Sequence, residues 1–140
     1  MAPIVLFFVF GIIAGSFLNV VIYRFPQNQS LVHPGSHCSH CKTTIPFYRN
    51  IPIISFLIQG GRCHKCKQKI SIQYPIVEFL SGIGWIWCLS VHTPLEAGLL
   101  ILLFSIFIVI AWVDGVTMNI PFILIFIALI VEISGLVLGI

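Results

Sequence analysis

Four long apolar stretches, at approximately residues 3–23, 72–91, 96–113 and 121–140, are broken by one polar island from Gln27 to Lys69. A helix needs about 20 mostly apolar residues to cross a bilayer, where only helices and closed barrels satisfy their backbone groups. The pattern therefore predicts an all-α polytopic membrane protein with about four transmembrane helices. Composition agrees, since 59% of residues are hydrophobic and only 8% charged, outside the ordinary soluble range. Three segments follow: a first transmembrane helix over 1–23, a loop over 24–71, and a membrane domain of about three helices over 72–140. No basic residue precedes the first apolar run, which is longer than a signal-peptide core, so a cleaved secretory signal is not expected.

All seven Lys and Arg residues lie between Arg24 and Lys69, and all four acids follow them in the chain. Positively charged loops stay on the cytoplasmic side of a membrane. That rule puts the N-terminus outside, residues 24–71 in the cytoplasm, the His92-Thr93-Pro94-Leu95 turn outside, and Asp114 to Asn119 back in the cytoplasm. The lipid bilayer is thus the expected partner of the basic island, and nucleic acid is not. Gly11 with Gly15 and Gly135 with Gly139 have the small-xxx-small spacing of closely packed membrane helices, a weak signal that lipid-facing glycines share. No internal repeat is evident.

Within the island, Cys38-x2-Cys41 and Cys63-x2-Cys66 stand 21 residues apart. Two residues between thiols let one tight knuckle present both sulfurs to one ion, and two knuckles complete a tetrahedral site. A cytoplasmic loop disfavours the competing disulfide reading. Zinc fits a closed four-sulfur shell, and a single iron would accept similar ligands. Such a shell leaves no open position for water, so its expected task is structural: a zinc-ribbon-like loop of about 45 residues is too short to build a stable core alone. His37, His40 and His64 are expected as exposed loop histidines. Lys42, Lys65, Lys67 and Lys69 would favour thiolates and could touch anionic lipid head groups. Cys88, alone in a span, reads as a small buried apolar residue.

Acids in or beside apolar spans are costly and so are candidates for function. Asp114, the sole aspartate, ends the third span and begins a turn-rich run to Pro121. Its alternatives are a catalytic carboxylate and an interfacial acid capping the next helix. Glu78 lies one or two turns into the second span near the cytoplasmic surface, Glu96 falls in the external turn, and Glu132 lies inside the last span. Carboxylate-driven peptide hydrolysis needs two acids sharing one water.

The run Gly15-Ser16-Phe17-Leu18-Asn19-Val20-Val21-Ile22-Tyr23-Arg24-Phe25-Pro26 resembles the opening motif of the type IV prepilin peptidases. The resemblance continues through the two CxxC knuckles, Asn50-Ile51-Pro52, Gly61-Arg62-Cys63, Ile70-Ser71, Tyr74-Pro75-Ile76-Val77-Glu78, and Asp114 with Ile120-Pro121, covering roughly residues 11–122. It implies a polytopic enzyme of the bacterial inner membrane, serving type IV pilus and type II secretion systems. Such an enzyme cleaves prepilin or pseudopilin leader peptides and methylates the new N-terminus with S-adenosylmethionine. By the same resemblance Asp114 is the first catalytic aspartate, and Asn19, Arg24 and Glu78 belong to the substrate or methyl-transfer region. Arg49, Gln73 and Phe122 stand where the family usually has Asp, Arg and Asp. The later Gly-x-Gly-Asp motif with the second catalytic Asp does not occur in these 140 residues. The expectation is therefore a truncated or naturally short member, with a separate chain as one source of the second Asp. Its alternative is a non-catalytic zinc-loop scaffold that docks pilin-like substrates.

Overall fold

The computed structural model describes residues 2–91, 93–118 and 122–137. Five helices follow in order: α1 (Ala2–Arg24), the short α2 (Ile54–Ile58), α3 (Gln73–Val91), α4 (Pro94–Thr117) and α5 (Phe122–Val137). Among the described residues there is no β-strand, only two isolated bridges inside the loop. Two segments, Pro3–Gln27 and Pro94–Thr117, are long and apolar enough to cross a membrane, with mean hydropathies of 2.5 and 2.6. The third expected span, α3, is diluted by Gln73, Glu78 and Ser81, and the fourth is a shorter apolar helix over Phe122–Gly135.

The tightest packing is between α1 and α3, which run antiparallel. A Cβ placed on Gly11 would lie 2.8 Å from Gly82 Cα, and one on Gly15 would lie 2.7 Å from Glu78 Cα. One step further, Asn19 Nδ2 donates to the Tyr74 carbonyl at 3.1 Å. Each four-residue advance along α1 therefore meets a four-residue retreat along α3, and the backbones approach because glycine leaves room. The Gly11 and Gly15 spacing is thus a packing face. Its counterpart Gly135 is buried, while Gly139 lies outside the described residues.

Helix α4 packs across both partners and α5 packs on α4. Ile22, Val77, Ile108, Val109 and Val113 form the buried core, bordered by Leu18, Trp112 and Leu124. These residues come from the end of α1, the start of α3 and the end of α4, so the core lies at the loop end of the bundle. At the opposite end a capping box opens α4: the Thr93 N–H donates to Glu96 Oε2 at 2.9 Å. This gives Glu96, expected merely as a turn residue, a definite role. Asp114 also departs from expectation. It does not open a turn, because α4 continues to Thr117 and ends at Met118, whose left-handed backbone (φ 52°) lets its N–H donate to the Asp114 carbonyl at 2.8 Å. The Asn119-Ile120-Pro121 stretch and His92 lie outside the described residues.

The loop contains a repeat that residue identity conceals. In the first knuckle the Cys38 N–H donates to the Thr43 carbonyl, Lys42 N–H to Cys38 and Ile45 N–H to Ser36. In the second, Cys63 N–H donates to Gln68, Lys67 N–H to Cys63 and Ile70 N–H to Gly61. The bridges His37 to Thr44 and Arg62 to Lys69 correspond as well. Lys42 (φ 54°) and Lys67 (φ 61°) occupy the same left-handed position after the second cysteine of each knuckle. Between the knuckles, Ser55 Oγ accepts from the Ile51 N–H, and Gln59 Nε2 donates to the carbonyls of Arg49 and Ser55. These bonds brace the chain around α2.

Candidate metal centre and adjoining cavity

Because the two knuckles face one another, the sulfurs of Cys38, Cys41, Cys63 and Cys66 all lie within 4.8 Å of one another. Cys38 Sγ is 3.8 Å from Cys66 Sγ, and Cys41 Sγ is 3.9 Å from Cys63 Sγ. A tetrahedron with metal–sulfur bonds of about 2.3 Å has edges of about 3.8 Å, so these separations fit a four-thiolate zinc site. They are nearly twice the length of a disulfide bond, about 2.05 Å, and all five cysteines are free thiols. The three neighbouring histidines stay outside this cluster, His37 turning its Nδ1 to the Gly35 carbonyl at 2.9 Å. Cys88 is buried away from it, as expected.

The thiols are prepared unequally. Hydrogen bonds from the Thr43 side chain and backbone lower the Cys41 thiol from 9.0 to about 6. Backbone N–H groups of Cys66 and Lys65 also lower the Cys63 thiol. Cys66 moves to about 11: the Gln68 backbone N–H acts downward, but burial and the sulfurs of Cys41, Cys63 and Cys38 outweigh it. Four sulfurs this close do not all ionise without a cation among them. The groups that favour the thiolates are backbone amides and a hydroxyl, whereas the sequence pointed to lysine ammonium groups.

Between the cysteine loop and the ends of α1, α3 and α4 lies a cavity of about 530 Å³. It brings together three of the sequence-derived candidates, Asn19, Arg24 and Glu78. Asn19 is 1% exposed, and its Nδ2 is committed to the Gly15 and Tyr74 carbonyls. Those two acceptors define the orientation of its amide, and its buried Oδ1 has no hydrogen-bond partner. Such an acceptor calls for a donor from a ligand or from water. Glu78 is also buried, and its Oε2 accepts the Ile53 N–H at 2.7 Å. Arg24 is buried with its guanidinium donating to the carbonyls of Ser30, Pro34 and Gly35, at 2.9, 2.6 and 3.3 Å. It ties the start of the loop to the end of α1, immediately before the first knuckle.

Ile53 is a strained position at the cavity wall that residue type did not reveal. Its φ of 58° and ψ of −53° are strained for a β-branched residue, and the Ile54 N–H bonds to the Pro52 carbonyl in a γ-turn around it. The Glu78 carboxylate holds that turn. Pro52 was the available signal, since it restricts the preceding residue and favours a turn. Asp114, by contrast, is exposed on the last turn of α4, and its neighbours Val113, Val116 and Thr117 line the cavity instead. Glu132 is exposed on α5.

The profile of the Bacterial Peptidase A24 N-terminal domain matches residues 9–92. The prepilin leader peptidase/N-methyltransferase of Myxococcus xanthus (strain DK1622) is 47% identical over 85 residues, which cover 61% of this chain and 25% of that protein. The Type 4 prepilin-like proteins leader peptide-processing enzyme of Escherichia coli O78:H11 (strain H10407 / ETEC) is 42% identical over 94 residues, covering 54% of this chain and 35% of that protein. The prepilin leader peptidase/N-methyltransferase of Bacillus subtilis (strain 168) is 35% identical over 120 residues, covering 81% of this chain and 46% of that protein. This chain thus spans between a quarter and about half of the length of these relatives. No solved structure gives a significant match. The match to the profile covers more than half of the chain, including both cysteine knuckles, Asn19, Arg24 and Glu78, and the chain belongs to the bacterial A24 peptidase N-terminal domain family.

Proposed function

We propose that the chain forms the N-terminal membrane portion of a prepilin leader peptidase/N-methyltransferase, working on prepilin or pseudopilin N-termini at the cytoplasmic face of the bacterial inner membrane. In this reading α1, α3, α4 and α5 are four membrane helices, and residues 24–71 form a cytoplasmic zinc loop over their ends. The observation that carries it is the cavity beneath that loop, whose lining includes both Asn19, with its unpartnered buried acceptor Oδ1, and Glu78. Its volume suits a small-molecule site.

Zinc held by Cys38, Cys41, Cys63 and Cys66 would close the loop, and S-adenosylmethionine in the cavity would supply an electrophilic methyl group. Asn19 Oδ1 accepts an N–H of the pilin's terminal amine and orients it. Glu78 holds the proton that this amine gives up when its nitrogen forms the new bond to carbon. Arg24 positions the loop through its three carbonyl contacts. Asp114 contributes one carboxylate to leader cleavage. The second comes from outside these 140 residues, from further sequence or a separate chain.

The test is methyl incorporation from a labelled donor into a leader-free pilin peptide by the detergent-purified chain. Glu78→Gln should lower the rate by about 100-fold, as expected on losing a general base. Asn19→Ala should lower it as well, while Asp114→Asn leaves it unchanged. Undiminished transfer in both cavity variants would refute the assignment. Peptide binding without transfer by the unsubstituted chain would favour a docking role instead.

A further inference from the structure

Helix α2 has two unlike faces. Ser55 is buried and Phe56 lines the cavity, whereas Ile54, Leu57 and Ile58 point away from the protein. Leu57 is 69% exposed and Ile58 80%, and just upstream Phe47 is 86% exposed beside a half-exposed Tyr48. Large apolar side chains crowded this way on a polar loop mark a contact surface. The depth at which the loop is held identifies what covers it.

The Ile53 N–H is bonded to Glu78, which fixes the start of α2 beside that residue. Glu78 is the sixth residue of α3, placing its backbone about 7.5 Å along the axis from the helix start. Gly15, which faces Glu78, is nine residues from Arg24 at the end of α1, a distance of about 13.5 Å. The Glu78 side chain leans back toward the N-terminal, loop-side end of α3, so the start of α2 is held against the flank of the bundle, near the loop-side ends of the long helices. The α3 residues around Glu78, namely Ile76, Phe79 and Leu80, are apolar and exposed as well. All seven Lys and Arg residues belong to the segment that carries α2, so its charge complements an anionic leaflet.

We propose that α2 is an interfacial anchor: Ile54, Leu57 and Ile58, flanked by Phe47 and Tyr48, are seated at the boundary between head groups and acyl chains of the cytoplasmic leaflet. An apolar helix face above a basic surface is the chemistry of interfacial membrane binding. The inference rests on the reading of α3 as a membrane helix. It assigns the strained Ile53 turn a task, because the turn redirects the chain from the knuckle surface down into the interface. The anchor thereby clamps the cavity wall formed by Phe56 and Gln59 against the bilayer.

The experiment places an environment-sensitive fluorescent amino acid at Leu57 or, separately, at Phe79 on α3. The full chain is reconstituted in vesicles of phosphatidylglycerol and phosphatidylcholine carrying bromine near the head-group end of the acyl chains. Quenching at position 57 should be severalfold stronger by the lipid bromines than by aqueous iodide, with metal content equal to that of the unlabelled chain. Quenching there by iodide alone would overturn the anchor, as would protection from both quenchers, which would signal a protein partner. Bromine quenching at position 79 without quenching at 57 would sink the anchor while keeping the span. Its absence at 79 would reject the membrane reading of α3.

Discussion

Adding one methyl group at Gly15 probes the interface that holds the cavity together. The Cβ of Gly15→Ala would sit 2.7 Å from Glu78 Cα, 2.8 Å from Ser81 Cβ and 3.0 Å from the Val77 carbonyl oxygen. Carbon atoms in ordinary contact are about 3.5–4.0 Å apart, so α1 and α3 must separate by about 1 Å. Backbone atoms cannot rotate away as a side-chain tip would. Overpacking of this kind costs about 1–3 kcal/mol. The same separation stretches the 3.1 Å Asn19 Nδ2 bond to Tyr74 beyond hydrogen-bonding reach, removing about 1 kcal/mol more. Gly15→Ala should therefore destabilise the chain by about 2–4 kcal/mol, read from reversible unfolding in mixed micelles by circular dichroism. Gly98→Ala supplies the control, because no atom beyond its own stretch of helix backbone lies within 4 Å of its added Cβ. That variant should be neutral or gain up to about 1 kcal/mol from reduced backbone freedom. Equal midpoints for the two alanine variants would refute the close α1–α3 contact.

Acid should strip the metal. The folded-state Cys41 thiol is lowered from 9.0 to about 6, so its contribution is complete above 9 and declines on acidification, disappearing below 6. Metal content after dialysis should fall steeply from pH 7 to pH 5, and a Cys38→Ser/Cys63→Ser double variant should hold none at pH 7. Arg24→Lys keeps the charge but loses the planar fork that reaches three carbonyls, at a cost of about 1–3 kcal/mol. Hydrogen exchange in residues 28–36 should accelerate, with the α1–α3 pair still protected. Thr93→Val removes the side-chain half of the α4 capping box and should cost about 1 kcal/mol, measured by the same micelle unfolding.

The helices were legible because an apolar run of membrane length permits few alternatives, and α1, α3, α4 and α5 begin and end within a few residues of the expected spans. The cysteine cluster was legible because two CxxC knuckles impose a geometry through spacing alone. The internal repeat was hidden: its cysteines, one lysine and a closing isoleucine recur, while the backbone bonds that define it leave no mark on residue type. The left-handed positions are occupied by Lys42 and Lys67, where sequence reasoning would look for Gly or Asn. Glu78 was identified as a candidate, but its partner is the amide of a residue 25 positions away in a strained turn. Asp114 was identified too, yet its exposure depends on the rotation of α4, and the uniformly apolar composition of that helix does not reveal which face turns inward.

The glycine face of α1 also has a meaning for biogenesis. Gly11, Gly15 and Asn19 form one stripe, and their partners on α3 are made only after the whole loop has been translated. Until then the Asn19 amide has only the Gly15 carbonyl of its own helix, and the glycine stripe has no partner of its own to pack against. Arrival of α3 covers it and adds the Tyr74 carbonyl as the second acceptor of the Asn19 amide, so the stripe is completed only by its own later neighbour.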